Sequence, residues 1–185
     1  PWVLVEEFTN QGCSPCAAFS PSLDTCVTRH MGDVAFITYH INFPQPSDYI
    51  YVLNKEQNEA RQDYYGVTGV PSIFFNGTRG YAIAKHADYL DAQIGEARKD
   101  PTFNIQVDAS LNNGQLDITT HLTPIEAYSD RKLKLVTAVV EDYVGYDHKV
   151  WNGEDHWNFV MRQLLPNASG EQLPTSQYAG NELSY

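Results

Sequence analysis

The sequence predicts an α/β domain over residues 1–100 and an all-β domain over residues 101–185, the second an Ig-like or jelly-roll-like sandwich. Two observations lead to this division. Hydrophobic residues alternate between strand-like and helix-like spacing as far as Arg98, whereas the later spacing is strand-like throughout. The pair Asp100-Pro101 lies between the two patterns, and such a pair is typical of a boundary between structural units.

The composition indicates a folded, acidic chain. Of the 185 residues, 42% are hydrophobic and 12% are aromatic, which is enough for a packed core. The formal net charge is −11, and a surface of that sign repels phosphate backbones, so nucleic acid is not an expected partner. No apolar run approaches the roughly 20 residues that a membrane helix requires, so no transmembrane segment is expected in this chain.

The first half reads as β-α-β-α-β-β-α. A buried strand at 1–8 leads through a turn containing Gly12 into a helix in which Phe19, Leu23 and Val27 recur at four-residue spacing. The later predicted elements are a strand at 34–41, a helix within 49–65, a strand at 72–75, an Asn76-Gly77 hairpin turn, a returning strand at 81–84 and a helix at 87–98.

The second half contains shorter repeats of strand-like alternation. Strands are predicted at 103–110, 116–122, 133–140 and 158–165, and the polar tail at 166–185 is predicted as loop. A complete sandwich has about seven strands. We therefore expect this sandwich to be incomplete.

The segment Cys13-Ser14-Pro15-Cys16 follows a strand and opens a helix. The positive end of a helix stabilises a thiolate, so Cys13 is the predicted nucleophile and Cys16 the thiol that resolves the mixed disulfide. A structural disulfide remains the alternative. Zinc normally requires four ligands, and the sequence has no second C-x-x-C and no H-x-x-x-H, so no metal site is predicted.

The segment Gly69-Val70-Pro71-Ser72 lies between a predicted helix and a predicted strand. A cis bond at Val70–Pro71 would expose the Val70 backbone to a bound peptide. Only about 5–6% of X–Pro bonds in folded proteins are cis, so these residues alone favour an ordinary trans turn.

Residues 3–98 resemble a thioredoxin domain. The resemblance depends on four groups of residues: Val5-Glu-Glu-Phe8, Cys13-Ser-Pro-Cys16, Pro21, and Tyr65-Gly-Val-Thr-Gly-Val-Pro-Ser-Ile-Phe-Phe-Asn-Gly77. It implies the α/β thioredoxin fold, a helix-kinking proline at Pro21 and a cis proline at Pro71. It also implies an acid six residues before the first cysteine, where Glu7 stands, and a glutamate there resembles the protein disulfide isomerase version.

The resemblance gives roles to further residues. Glu7 is expected to face inward beneath the dithiol, where burial raises the pKa of a carboxyl, and to relay a proton to or from Cys16. A solvated glutamate at the strand end is the alternative. Val70 and Pro71 become the expected substrate-binding edge, together with Gly12. Gly12 departs from the family, in which an aromatic residue occupies its position, so the docking surface is expected to differ.

Two further features of the sequence contain potentially reactive or metal-binding side chains. Cys26 falls on the apolar helix face and is predicted to be a buried, inert thiol, with a redox-regulatory third cysteine as the alternative. His148, Glu154, Asp155 and His156 have metal-ligating side chains. Their close spacing in a turn-like segment is more typical of a solvated loop.

The second half also carries a resemblance. A thioredoxin-like domain followed by a sandwich with Val139-Val-Glu-Asp142, Val160-Met-Arg-Gln-Leu-Leu-Pro166 and Gly170 is similar to the outer membrane protein 28-related proteins, an exported bacterial family. This resemblance implies a place in the cell envelope, in the periplasm or on the outer-membrane surface. It also implies a lipid anchor on a segment before Pro1 and closing strands beyond Tyr185.

Two functions follow from these observations. The first is an exported thiol–disulfide oxidoreductase that exchanges disulfides with envelope proteins and needs no cofactor beyond its dithiol. The proline beside Cys16 favours a reductant or isomerase. The second is a non-catalytic surface or outer-membrane-associated binding protein in which Cys13–Cys16 is a permanent structural disulfide.

Overall fold

A computed structural model describes residues 1–82 and 86–185. The order β-α-β-α-β-β-α predicted for the first half is confirmed. Its elements are strand β1 (Val3–Thr9), helix α1 (Ser14–His30), strand β2 (Val34–His40), helix α2 (Lys55–Tyr65), strands β3 (Ser72–Phe75) and β4 (Thr78–Arg79), and helix α3 (Ala87–Ala97). A 3₁₀ turn at Tyr51–Leu53 precedes α2.

The second half consists of strands and loops. Its strands are β5 (Phe103–Asn112), β6 (Gln115–Pro124), β7 (Lys134–Leu135), β8 (Thr137–Gly145), β9 (His156–Leu165), β10 (Glu171–Gln172) and β11 (Leu183–Ser184). The tail that was predicted as loop therefore contributes two short strands, β10 and β11.

A mixed six-stranded sheet organises the molecule, in the order β4-β3-β1-β2-β9-β8. Strand β1 pairs in parallel with β2 and antiparallel with β3. The β8–β9 hairpin extends the same sheet, because β9 pairs in parallel with β2 at Thr38 and Val160. Two small antiparallel sheets, β11-β6-β5 and β10-β7, complete the described chain.

The β-sandwich predicted for residues 101–185 is not confirmed. Two of its longest strands, β8 and β9, belong to the mixed sheet, where Trp157 and Val160 are buried against Ile50 of the first half. On β5, the side chains of Ile105 and Val107 are exposed, so they do not form the inner face of a second layer in the described part of the chain. Independent folding of residues 1–100 remains a prediction.

Side-chain alternation along β1 divides the core into two parts. Val3 and Val5 pack with α1 and α3 in one cluster, and Phe8 packs with Tyr39 and Phe74 in another. Glu6 lies on the side opposite to Glu7, as alternation predicts. It is nonetheless buried, because Arg61 and the hydroxyls of two tyrosines pair with its carboxylate.

The returning strand predicted at 81–84 is wrong in position. Strand β4 begins directly after the Asn76-Gly77 turn, and both turn residues have positive φ, which closes a tight hairpin. The ring of Phe75 lies so close to Gly80 that a Cβ there would approach it to 2.3 Å, and the strand ends before this contact. Tyr81 and Ala82 belong to no strand, and the rest of the predicted segment lies outside the described residues.

Candidate redox site

The two cysteines of the C-x-x-C segment form a disulfide at the start of α1. Cys13 is the residue that caps this helix, and its Sγ accepts a hydrogen bond from the Cys16 N–H at 3.1 Å. Pro15 occupies the first helical turn, where an absent N–H costs nothing. The local sequence is therefore sufficient to place both sulfurs at the positive end of the helix dipole.

Glu7 is buried on β1, on the sheet face that packs against α1. The pKa of its carboxyl is raised to about 8, chiefly by burial and in smaller part by the negative charges of Glu154 and Asp24. A hydrogen bond from Thr38 opposes this rise only in part. The carboxyl therefore holds its proton at neutral pH and can release it over a physiological range.

Glu7 lines a cavity of about 200 Å³ between α1 and the loop that joins β8 to β9. The same cavity is lined by Ala17, Ser20 and Asp24 of α1 and by Glu154 of the loop. With Asp155, which also lines it, four carboxyl groups thus share one small cavity beside the first turns of the dithiol helix. The pKa of Glu154 is also raised, chiefly by burial.

Residues 152–154 of the β8–β9 loop lie against the dithiol loop, and we call them the capping segment. The Asn152 backbone N–H donates to the Gln11 carbonyl at 3.0 Å, and its side-chain amide donates to the Cys13 carbonyl at 3.2 Å. The Glu154 carboxylate accepts hydrogen bonds from Asn152 and from the Ser20 hydroxyl on α1. The capping segment therefore joins the second half of the chain to both sides of the disulfide.

The two sulfur-bearing side chains are buried in this oxidised state. Cys13 is 2% exposed and Cys16 is 0% exposed. A thiolate that attacks the disulfide must reach a sulfur atom, so access to Cys13 requires a local opening.

A second loop covers the dithiol loop from the other side. The Asn10 side-chain amide donates to the carbonyls of Ile41 and Gln45, at 2.6 and 3.0 Å. A Cβ at Gly12 would lie 2.6 Å from the Cβ of Gln45. Thioredoxin domains have an aromatic residue at the position of Gly12. The loop that follows β2 leaves no room for such a side chain here.

His40 and Asp48 form a buried hydrogen-bonded pair next to the dithiol loop. His40 Nδ1 lies 2.8 Å from Asp48 Oδ2, and the same carboxylate accepts the backbone N–H of Gln11 at 2.7 Å. Burial raises the pKa of Asp48, but His40 and backbone donors that include Tyr51 outweigh it and hold that pKa below its usual value. Among the described residues, His40 Nε2 has no hydrogen-bond partner, and the ring of Trp157 meets the His40 ring edge to face.

Val70 and Pro71 lie directly before β3, at the end of the sheet where β1 also ends. Ser72 begins β3 opposite Phe8, so the two residues before Ser72 extend beyond the sheet on the side of the dithiol loop. The Val70–Pro71 bond is cis, as the resemblance implies. Both side chains are half-buried, and neither backbone hydrogen-bonding group of Val70 is paired with another backbone group in the described part of the chain.

Of the four candidate metal ligands His148, Glu154, Asp155 and His156, only the neighbours Asp155 and His156 contact each other. His148 contacts Asp147, and His156 contacts Asp155, each at the neighbouring position in the chain. Glu154 instead points to the cavity beside α1. The roles that sequence analysis missed are those of Asn152, Glu154 and the His40–Asp48 pair, because no local motif marks them.

Comparison with known proteins supports the fold. The structure of HBP35 of Porphyromonas gingivalis matches with a TM-score of 0.70 at 13% identity, over 99% of this chain and 62% of its own. A protein of Agrobacterium tumefaciens matches with a TM-score of 0.52 at 19% identity, over 98% and 92%. The structure of DsbF of MTB, in mixed oxidised and reduced forms, matches 52% of this chain and 81% of its own at 17% identity, but its TM-score is only 0.41.

These likenesses extend to the fold alone, and the chain spans 62% of the length of the HBP35 structure. No protein-family model matches the sequence, and no curated protein is similar enough to match it. The resemblance to the outer membrane protein 28-related family therefore has no support from a family model.

Proposed function

We propose that this chain is an exported thiol–disulfide oxidoreductase that exchanges disulfides with cell-envelope proteins through Cys13-Ser14-Pro15-Cys16. The observation that carries the proposal is the position of Glu7, a buried carboxyl whose pKa of about 8 suits proton transfer near neutral pH, in the cavity beside the helix that the disulfide opens. A disulfide that served only as a structural link would have no use for such a group.

In the reducing direction, the Cys13 thiolate attacks one sulfur of a target disulfide. A mixed disulfide forms, and one target cysteine leaves as a thiolate. Glu7 in its ionised form, the minor form at neutral pH because its pKa is about 8, accepts the proton of Cys16. The resulting Cys16 thiolate attacks Cys13 Sγ, which releases the second target thiolate. The target gains two electrons, and Cys13–Cys16 is oxidised. A second thiol protein, acting by the same exchange, returns the pair to the reduced state.

The capping segment acts as a gate in this scheme. It bonds to the Cys13 carbonyl and to Ser20 on α1, and Cys13 is nearly inaccessible while those bonds hold. A target protein displaces the segment and pairs its own backbone with the backbone of Val70, directly before β3. Selectivity then depends on which targets can displace the cap.

The proposed location is the cell envelope, in the periplasm or on the outer-membrane surface, with a lipid anchor on a segment before Pro1. The location is proposed from the sequence resemblance and from the oxidising compartment in which stable disulfides persist. None of the helices in the described residues is both long enough and apolar enough to span a bilayer.

Trapping of mixed disulfides tests the proposal. A Cys16→Ala variant expressed in cells of the source bacterium should accumulate covalent, reductant-sensitive adducts with a specific set of envelope proteins. A Cys13→Ala variant is the matched control and should trap none. Absence of adducts from the Cys16→Ala variant would contradict the proposal.

A second function is favoured by one observation, the burial of both cysteines. Under this alternative, Cys13–Cys16 is a permanent structural disulfide in a non-catalytic surface or outer-membrane-associated binding protein. The disulfide would then resist reduction in the folded state, and the Cys13→Ala variant would lose stability without any loss of exchange.

A further inference from the structure

Away from the dithiol, three potential metal ligands meet between α1 and α3. They are Cys26 and His30, one helical turn apart on α1, and Asp91 on α3. One ligand atom from each residue lies within 4.8 Å of the other two. We propose that these three side chains bind a divalent zinc ion, with water as the fourth ligand.

The geometry is close to that of a tetrahedral zinc site. Ligand atoms on such a site are about 3.3 to 3.6 Å apart, given metal–ligand distances of about 2.0 to 2.3 Å. His30 Nε2 and Asp91 Oδ1 are 3.1 Å apart, and Cys26 Sγ lies within 4.8 Å of a ligand atom of each residue.

Neighbouring side chains hold two of the three proposed ligands, His30 and Asp91, by hydrogen bonds and ion pairs. A zinc-binding histidine usually donates its other ring N–H to a carboxylate, and His30 Nδ1 lies 3.4 Å from Asp33 Oδ1. The second oxygen of Asp91 pairs with Arg29, so the first oxygen remains directed at Cys26 and His30. Asp33 is in turn held by Arg98.

Charge also favours a cation here. Cys26 is buried, and the carboxylate of Asp91 lies beside it. A zinc ion would compensate the charge of both a thiolate and the carboxylate, whereas the guanidinium of Arg29 reaches only the carboxylate.

The alternative chemistry of these residue types is nucleophilic catalysis by a cysteine, a histidine and an aspartate. Cys26 is 1% exposed, so no substrate reaches its sulfur. A bound ion would instead join α1 to α3 on one side of the sheet. Sequence analysis predicted no metal site because its third ligand, Asp91, is 65 positions after Cys26 and follows no spacing rule.

Cobalt and zinc titrations of the untagged full chain test the site. With the Cys13–Cys16 disulfide intact, Cys26 is the one free thiol of the three cysteines in the sequence. We expect one equivalent of Co²⁺ to bind with a thiolate-to-metal charge-transfer band, and Zn²⁺ to displace it. Zn²⁺ should also raise the thermal unfolding midpoint.

Four variants make the assignment specific. Cys26→Ala should lose the band, and Asp33→Asn should weaken binding about 10- to 100-fold through the His30 contact. A Cys13→Ala/Cys16→Ala double variant should bind metal normally, which separates this site from the proposed exchange activity. His148→Gln, which removes an exposed histidine–carboxylate contact, should also bind normally. Absence of uptake by the wild-type chain, or an unchanged band in Cys26→Ala, would overturn the proposal.

Discussion

Asn152 donates a hydrogen bond from its side-chain amide to the carbonyl oxygen of Cys13 at 3.2 Å, although 139 positions separate the two residues. The second half of the chain is therefore part of the dithiol environment. It supplies both a cover for the disulfide and, through Glu154, a second carboxyl in the cavity that Glu7 lines.

Asn152→Ala is expected to accelerate reduction of the disulfide by dithiothreitol about tenfold. The substitution removes side-chain bonds of about 1 kcal/mol each, so the population in which Cys13 is accessible rises. Reduction rates can be followed by thiol alkylation and mass spectrometry. Asn104→Ala, at an exposed position on β5, is the control and should react at the wild-type rate. Equal rates for both variants would show that the capping segment does not limit access.

Glu7→Gln is expected to change how stability depends on pH. Because the folded pKa of Glu7 is about 8 and its ordinary value is 4.5, the native state holds a proton that the unfolded chain has lost between these values. The contribution of Glu7 to the free energy of unfolding is therefore fully present below pH 4.5. It falls as the pH rises to about 8, by up to about 1.4 kcal/mol per pH unit.

Urea unfolding at pH 5 and pH 8 measures this difference. The wild type should lose more stability between the two values than Glu7→Gln, because the amide does not titrate. Glu56→Gln, on the first turn of α2, is a control that should retain the wild-type slope. A wild-type slope in Glu7→Gln would mean that Glu7 ionises normally.

Glu154→Gln should lower the pKa of Glu7. The charge of Glu154 is one of the causes that raise it, but burial is the larger cause, so the pKa should stay above 4.5. Carbon-13 NMR titration of labelled glutamate measures the value directly. Glu141→Gln removes an exposed carboxylate that pairs with Arg162, and it should leave the titration of Glu7 unchanged.

The local features of this chain could be predicted from sequence, and its long-range features could not. Strand β1, the disulfide and helix α1 follow from apolar spacing, a proline in the first turn and a two-residue separation of cysteines, all within one short segment. The position of Glu154 depends on the parallel pairing of β9 with β2, which joins residues far apart in the chain. No periodicity distinguishes that pairing from a separate sandwich.

The reason for a glycine at position 12 also could not be predicted from the sequence. The sequence shows that Gly12 departs from the thioredoxin pattern, but the contacting residue, Gln45, lies in a loop whose path no local pattern predicts. Gly12→Ala is expected to destabilise the protein by about 1 to 3 kcal/mol through contact with the Gln45 Cβ. Adding Gln45→Gly should restore part of the loss, since it removes the contacting atom.

Chemical denaturation tests this pair. Gly32→Ala is the control, because a Cβ there meets no atom within 4 Å. If Gly12→Ala costs no more than Gly32→Ala, the loop after β2 does not explain the glycine.

The reduction potential of Cys13–Cys16, measured in glutathione or dithiothreitol redox buffers, tests the proposed exchange activity most directly. We expect a value in the range of thiol–disulfide oxidoreductases, about −270 to −120 mV. A value far below about −300 mV, together with no disulfide exchange with insulin, would contradict it and would make the disulfide a permanent structural link.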